Sequence, residues 1–273
     1  MVSLTSHGIL AAVEIAFFAP ALIISVGICL KQNFTRNSGW FYMVLISILR
    51  IVGASSVLYM ETQNDYSSGL QETAAITSAV GTAPLLLALL GFVSRINESM
   101  RLEGLSRNVF RPIHLISLAA LILSIVGGTK TAQSDKDSYD LGRILLKVGS
   151  VLFFLIWVAL SAIAIYTFCR KAHAPSSESK LVLASICVLP FLLVRIVYTL
   201  AVSFSSAGSI FAYPTPSVPV QATMMFAMEA IVLCFYIFAG LFTPRQERNT
   251  SGSEAKDNAG DFAMEGQRPR QEI

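Results

Sequence analysis

Seven long apolar runs, separated by short polar stretches, constrain this chain more than any other feature of its sequence. In hydrocarbon every backbone polar group needs an internal partner, so each run is predicted to be a helix. Most of the runs reach the ~20 residues that a membrane span requires, and the fourth is the shortest. Only 14% of the residues are charged and 54% are hydrophobic, whereas soluble domains are about 25% charged. We therefore predict an all-α polytopic membrane protein with seven transmembrane helices. The runs are Gly8–Leu30, Trp40–Met60, Thr73–Val93, Ile113–Gly128, Ile144–Cys169, Leu181–Ser203 and Val220–Phe242.

Lysine and arginine are distributed unevenly between the predicted loops. The first, third and fifth loops carry nine of them, the fourth carries three, and the second and sixth carry none. The positive-inside rule then predicts a lumenal or external N-terminus and a cytosolic C-terminus. Three N-x-Ser/Thr sequons, at Asn33, Asn97 and Asn249, fall on the predicted cytosolic side. We expect them to stay unglycosylated.

The chain divides into a transmembrane domain, residues 1–243, and a polar cytosolic tail, residues 244–273, which is predicted to be disordered because it has few apolar residues. A net charge of +3 is too small to indicate nucleic-acid binding. The sequence contains no Walker loop, GxSxG, HExxH, GxGxxG or Cys/His cluster. These absences remove the usual nucleotide, hydrolase and zinc-protease interpretations, and we expect neither a metal nor a cofactor.

Four charged residues lie well inside the apolar runs: Glu14, Arg50, Arg195 and Glu229. Each costs at least ~2.5 kcal/mol to insert, so each needs a partner or a cavity. Counted from the lumenal end at ~1.5 Å per residue, all four fall within a slab about 6 Å thick. Two acids and two bases at one level are expected to pair.

Helical spacing places other polar and aromatic side chains on the faces of these charges. One interpretation is that the four charges form structural ion pairs. The other is a buried polar site in which one carboxyl is held protonated by apolar surroundings and donates its proton. A nearby arginine would work against this, so the acid without an arginine contact is the better donor. The side chains that share a face with the charges include Phe17, Phe18, Tyr198, Gln221 and Tyr236.

Three segments resemble a family of fungal seven-helix integral membrane proteins: Ser47–Ser55 (SILRIVGAS), Ala83–Gly91 (APLLLALLG) and Leu189–Arg195 (LPFLLVR). The resemblance covers the core from Gly8 to Thr243. Similar proteins encoded beside secondary-metabolite genes are membrane-bound terpene cyclases of meroterpenoid biosynthesis, which protonate a terminal epoxide or olefin of a prenylated aromatic substrate. The resemblance implies that activity here, with a lipophilic prenylated substrate. It also implies a prenyltransferase and an epoxidase acting upstream, and we expect the endoplasmic reticulum membrane.

The chemistry of such a cyclase can be matched to the buried residues. Cyclisation needs a Brønsted acid in a dry pocket and aromatic faces that stabilise a carbocation. A metal-dependent terpene synthase would need an aspartate-rich diphosphate site, which this sequence lacks, so an isomerase- or lyase-type cyclase without metal is expected. Glu229 or Glu14 would be the acid. The substrate-orienting side chains would be Arg50, Arg195, Tyr198 and Gln221, and the cation-stabilising rings Phe17, Phe18 and Tyr236.

Two other classes remain open. An orphan seven-helix receptor would share the predicted topology, but the sequence has no DRY or NPxxY signature. A small-solute transporter would suit the charges at mid-membrane depth and a faint resemblance between helices 1–3 and 5–7. Against a transporter, the sequence shows no PQ dipeptide and no glycine pair that would break equivalent helices.

Overall fold

The computed structural model describes residues 5–32, 39–63, 65, 67–99, 107–131, 135–169, 179–205 and 217–242. All regular elements in these ranges are helices, and they form seven spans that are long and apolar enough to cross a membrane. The predicted seven-helix, all-α membrane fold is therefore confirmed. The predicted orientation of the termini stays a prediction. The polar tail 244–273 lies outside the described residues, as do the sequons at Asn33 and Asn249.

Nine α-helices and one π-helical stretch make up the seven spans of the described chain. The third span consists of α3 and α4, and the seventh consists of α8, the π-helical stretch Gln221–Ala227 and α9. Each of the other spans is a single helix. The α-helices are α1 Ser6–Lys31, α2 Trp40–Gln63, α3 Ser68–Val80, α4 Thr82–Ser99, α5 Arg107–Thr131, α6 Lys136–Cys169, α7 Ser179–Phe204, α8 Val218–Val220 and α9 Met228–Phe242.

The third span is interrupted at Gly81, between α3 and α4. Pro84 explains this position, because proline has no N–H to donate to the carbonyl of Val80 and its ring crowds that carbonyl. In the seventh span the π-helical stretch ends directly before Met228 and Glu229. Such π-helical segments often occur at functional sites. Both irregularities occur near the predicted buried charges.

The fourth span is longer than the apolar run that predicted it. The run covers Ile113–Gly128, whereas α5 extends over Arg107–Thr131. A helix needs backbone hydrogen bonds rather than apolar side chains, so polar residues at the membrane surface continue it. With 25 residues, α5 is long enough to span the hydrocarbon.

Helix α4 forms the centre of the bundle. It contacts α2, α5, α6 and α7, and nearly all its side chains from Thr82 to Ile96 are buried. A helix that is apolar on all sides is expected in the interior of a large bundle. The outer faces of α5 and α6 instead expose large apolar side chains such as Leu115 and Leu155, as lipid contact requires.

Candidate functional site

A cavity of about 610 Å³ lies among the helices and has two chemically different ends. One end, the mouth, is formed at the start of α1, the end of α2 and the starts of α3 and the seventh span. The other end, the floor, lies at the level of the predicted buried charges. The polar residues of the mouth are Thr5, His7, Glu61, Gln71, Arg143 and Gln221, and those of the floor are Glu14, Arg50, Ser78, Arg195, Tyr198 and Thr199.

Glu229 is held behind the floor by two arginines. Its Oε2 accepts a hydrogen bond from Arg50 Nε and its Oε1 accepts one from Arg50 Nη2. The same Oε1 accepts a third bond from Arg195 Nε at 2.6 Å. Glu229 is only 1% exposed and does not line the cavity, whereas both arginines do. The arginines therefore separate this carboxylate from anything that enters the cavity.

The remaining donors of Arg195 tie it to neighbouring helices. Its Nη1 donates to Thr199 Oγ1 at 2.6 Å, and its Nη2 lies 3.5 Å from the carbonyl oxygen of Ser78. Ser78 is in the last turn of α3, where backbone carbonyls carry a partial negative charge that favours a cation. Thr199 also shares a hydrogen bond of 3.1 Å with Thr82 at the start of α4. Hydrogen bonds therefore connect the charged cluster to both sides of the interruption. Ser78, before Gly81, accepts from Arg195, and Thr82, after Gly81, bonds to Thr199.

Gly81 lets the two arginines approach this interruption. A Cβ atom at that position would lie 2.7 Å from Arg50 Nη2 and 3.5 Å from Arg195 Nη2. The first distance is shorter than a van der Waals contact, so a larger residue would displace the guanidinium from Glu229. The backbone of the third span therefore acts as one wall of the cluster.

Glu14 is the second acid of the floor and its situation differs from that of Glu229. Its side chain lines the cavity together with Leu10 and Ala11 and is 5% exposed. Its Oε1 is buried and has no hydrogen-bond partner among the described residues. Arg50 interacts with it electrostatically without a hydrogen bond between them in the described structure. Of the two predicted acids, only Glu14 lines the cavity, and only Glu14 has a carboxyl oxygen without a hydrogen-bond partner among the described residues.

The three rings predicted to stabilise a cation do not line the cavity. Phe17 and Phe18 lie one turn further along α1 than Glu14, and their ring centroids are 5.2 Å apart. Phe226 packs edge-on against both rings. Tyr236 lies two turns beyond Glu229, with its centroid 4.5 Å from that of Phe92. The cavity ends at the floor, so these rings fall in the packed core beneath it.

Two of the predicted orienting residues, Tyr198 and Gln221, line the cavity. Tyr198 lines the floor, and the guanidinium carbon of Arg195 is 5.5 Å from its ring centroid. Gln221 lies at the mouth, in the first turn of the π-helical stretch. With Arg50 and Arg195, four orienting candidates surround one cavity.

Apart from Gln221, the polar residues of the mouth were not among the predicted site residues. Glu61 belongs to α2 rather than to a loop, and it accepts hydrogen bonds from the backbone N–H of Thr5, at 3.2 Å, and from its hydroxyl. Arg143 donates from Nη2 to the carbonyl oxygen of Ser205 at the end of α7. The spacing of Arg143, Leu146 and Ser150 along α6 would have placed these cavity residues on one helical face.

Comparison with known families finds a match that covers most of the chain. Residues 4–247 match a domain described as a domain of unknown function, DUF7702. The chain belongs to the DUF7702 family. The matched residues of this DUF7702 protein include all residues that line the cavity, as well as Glu229. No curated protein matches the chain.

Proposed function

We propose that this DUF7702 protein is a membrane-bound, metal-independent terpene cyclase in which Glu14 is the proton donor. The observation that carries the proposal is the contrast between two buried acids at one level. Glu229 is bound by two arginines behind the floor, whereas Glu14 lines the cavity and its Oε1 has no donor in the described structure. A general acid must reach its substrate, and only Glu14 meets that condition of the two.

The surroundings of Glu14 suit a neutral carboxylic acid. Apolar burial disfavours a charged carboxyl, and Leu10 and Ala11 flank Glu14 on the same helix. Both carboxylate oxygens of Glu229 accept hydrogen bonds from Arg50, and in the described structure no hydrogen bond joins Arg50 to Glu14. In this proposal the ion-paired residues Arg50, Arg195 and Glu229 hold the helices together. Glu14 supplies the proton.

The shape of the cavity supports a prenylated substrate. A volume of about 610 Å³ lies within the range of small-molecule sites. Between the floor and the mouth the walls consist mainly of small or apolar side chains, including Ala54, Val57, Ala74 and Val202. A prenyl chain would occupy this section with its terminal epoxide or olefin at Glu14, and its polar head group would lie at the mouth.

In this arrangement the positive charge that develops on the substrate lies close to groups that can stabilise it. Once Glu14 has given up its proton, its carboxylate lies beside the new carbocation, and opposite charges in a dry site attract strongly. Tyr198 offers an aromatic ring at the same level. Phe17, Phe18 and Tyr236 have no part in the proposal because they do not line the cavity.

The proposal can be tested in microsomes that express the full chain. They would be supplied with epoxyfarnesyl phenol and with farnesyl phenol, and products would be identified by mass spectrometry and NMR. We expect a cyclised product from the wild type, and a loss of about 10²-fold or more in Glu14→Gln. Tyr236→Phe is the matched control, since this buried ring lies outside the cavity. Unchanged substrates throughout, or full activity in Glu14→Gln, would contradict the proposal.

The location of the protein follows from the same proposal. Seven apolar spans make it an integral membrane protein, and we propose the endoplasmic reticulum as its membrane. A prenyltransferase and an epoxidase acting before it would supply the substrate. The cavity mouth lies on the side where α1 begins, which the positive-inside rule predicts to be lumenal.

A small-solute transporter is a second candidate, and one observation favours it. The third span is interrupted at Gly81 beside Arg50 and Arg195, and the π-helical stretch of the seventh span ends directly before Glu229. In transporters, discontinuous helices near mid-membrane often form the substrate site. Uptake of radiolabelled amino acids, sugars or nucleosides into proteoliposomes, without any cyclisation in microsomes, would favour transport.

A further inference from the structure

The mouth of the cavity contains an arginine that forms no ion pair among the described residues. Arg143 reaches from α6 to the end of α7, where its Nη2 donates to the carbonyl oxygen of Ser205. It is half-buried and lines the cavity. Among the described residues it forms no ion pair, although Asp140 lies one turn before it on α6. A guanidinium has five N–H donors, so most of those of Arg143 remain available to a ligand.

Among the described residues, no hydrogen bond or ion pair joins Arg143 to the other polar groups of the mouth. Glu61, the acid of the mouth, lies on α2 and accepts its hydrogen bonds from Thr5. His7 and Gln71 carry no negative charge. The next cation on α6, Lys147, lies 5.6 Å from the ring centroid of Phe204 and does not line the cavity. Of the lysines and arginines in the described part of the chain, Arg143 is therefore the one that an occupant of the mouth would meet.

The position of Arg143 relative to Glu14 determines which part of a substrate it would contact. Glu14 is seven residues from His7 on α1, which corresponds to about 10 Å along the helix. Arg143 is likewise seven residues from Ser150, which lines the cavity two turns further along α6. A chain whose reactive end reaches Glu14 and whose other end reaches the mouth would share one cavity with Arg143.

We propose that Arg143 binds an acidic head group, an aromatic carboxylate, and so selects acidic prenylated arenes as substrates. A planar guanidinium binds a carboxylate through two parallel hydrogen bonds, which lysine cannot reproduce. This inference rests on the proposed cyclase function, because that function requires the head group at the mouth. Arg143 is a specificity-determining residue in this account, not the proton donor.

The test compares two ligands that differ only in the carboxylate, epoxyfarnesyl hydroxybenzoate and epoxyfarnesyl phenol. In wild-type microsomes we expect a kcat/KM at least about tenfold higher for the benzoate, from a charge-assisted hydrogen bond that the phenol cannot make. In Arg143→Gln the KM for the benzoate should rise by that factor with kcat unchanged, and the phenol should be unaffected. Lys147→Gln is the control, since it removes a cation from the same helix outside the cavity.

A binding measurement separates this inference from the proposed function. In detergent, the full-length Glu14→Gln variant would be melted with and without each ligand. The benzoate should raise the Tm of this variant more than the phenol does. Adding Arg143→Gln or Arg143→Lys should remove that difference. The phenol should still raise the Tm of these double variants, which would show that they are folded. Equal effects of the two ligands, or a difference that survives Arg143→Gln, would overturn the inference even if cyclisation occurs. A difference that depends on Arg143 without any cyclisation would support the head-group site and contradict the cyclase.

Discussion

Replacing each buried glutamate by glutamine provides a sharp test of how the floor is built. Glu14 and Glu229 are both buried at similar depth, and Glu→Gln is the same isosteric change at each. Glu229 accepts three hydrogen bonds from Arg50 and Arg195, whereas the Oε1 of Glu14 accepts none in the described structure. The two substitutions should therefore have very different effects on stability.

The magnitude follows from what each substitution leaves behind. Polar contacts between membrane helices average only about 0.6 kcal/mol, so the lost hydrogen bonds alone would cost little. Glu229→Gln, however, leaves two buried guanidiniums without a carboxylate, and removing one partner of a buried ion pair costs about 3–5 kcal/mol. At ~2–4 °C per kcal/mol, that is a fall in Tm on the order of 10 °C. For Glu14→Gln we expect a change below about 1 kcal/mol, since no hydrogen bond of Oε1 is lost.

The assay is thermal unfolding of the full-length protein in mild detergent, followed by tryptophan fluorescence and by size-exclusion recovery. Arg50→Gln combined with Glu229→Gln should lose less than the sum of the two single changes, because the residues form one network. Similar Tm values for the two Glu→Gln variants would refute this account of the floor. A Glu14→Gln variant that melts 10 °C below the wild type would show instead that Glu14 belongs to the ion-pair network.

Three further expectations concern other parts of the molecule. Gly81→Ala should lower the unfolding free energy by about 1–3 kcal/mol in the same melts, because the new Cβ would overlap Arg50. Gly27→Ala is the control and should be neutral or stabilising, because its Cβ would meet no atom within 4 Å. Equal effects of the two substitutions would contradict the packing at Gly81. Tyr236→Phe should be neutral or stabilising by up to about 1 kcal/mol, because its buried hydroxyl has no partner in the described structure; a clear loss of Tm would reveal a partner. Endoglycosidase treatment should leave the gel mobility of the protein unchanged, because all three sequons lie on the predicted cytosolic side. A change in mobility would contradict the predicted orientation.

The sequence was sufficient to predict the fold class and the level of the charged residues. Long apolar runs indicate which segments can lie in hydrocarbon, and the seven predicted runs correspond to the seven spans of the structure. Hydropathy does not report backbone hydrogen bonding, however. It therefore missed both the interruption at Gly81, which follows from Pro84, and the π-helical stretch Gln221–Ala227.

The site could be predicted only in part, because helical spacing fixes the depth of a residue but not which neighbour it faces. Glu14 and Glu229 were equivalent as acids until packing placed both arginines against Glu229. Phe17 does share a face with Glu14, but the cavity ends one turn above it. Arg143 was counted only as a loop charge, since nothing in a single sequence shows that α6 begins beside the mouth.

The central claim is that Glu14 supplies the proton, and the cyclisation rate of Glu14→Gln tests it most directly. The rate would be measured in microsomes with epoxyfarnesyl phenol and normalised to folded protein recovered by size exclusion. We expect a rate at least about 10²-fold below that of the wild type, with Tm nearly unchanged. A normalised rate equal to that of the wild type would contradict the claim and leave the buried charges with a structural role.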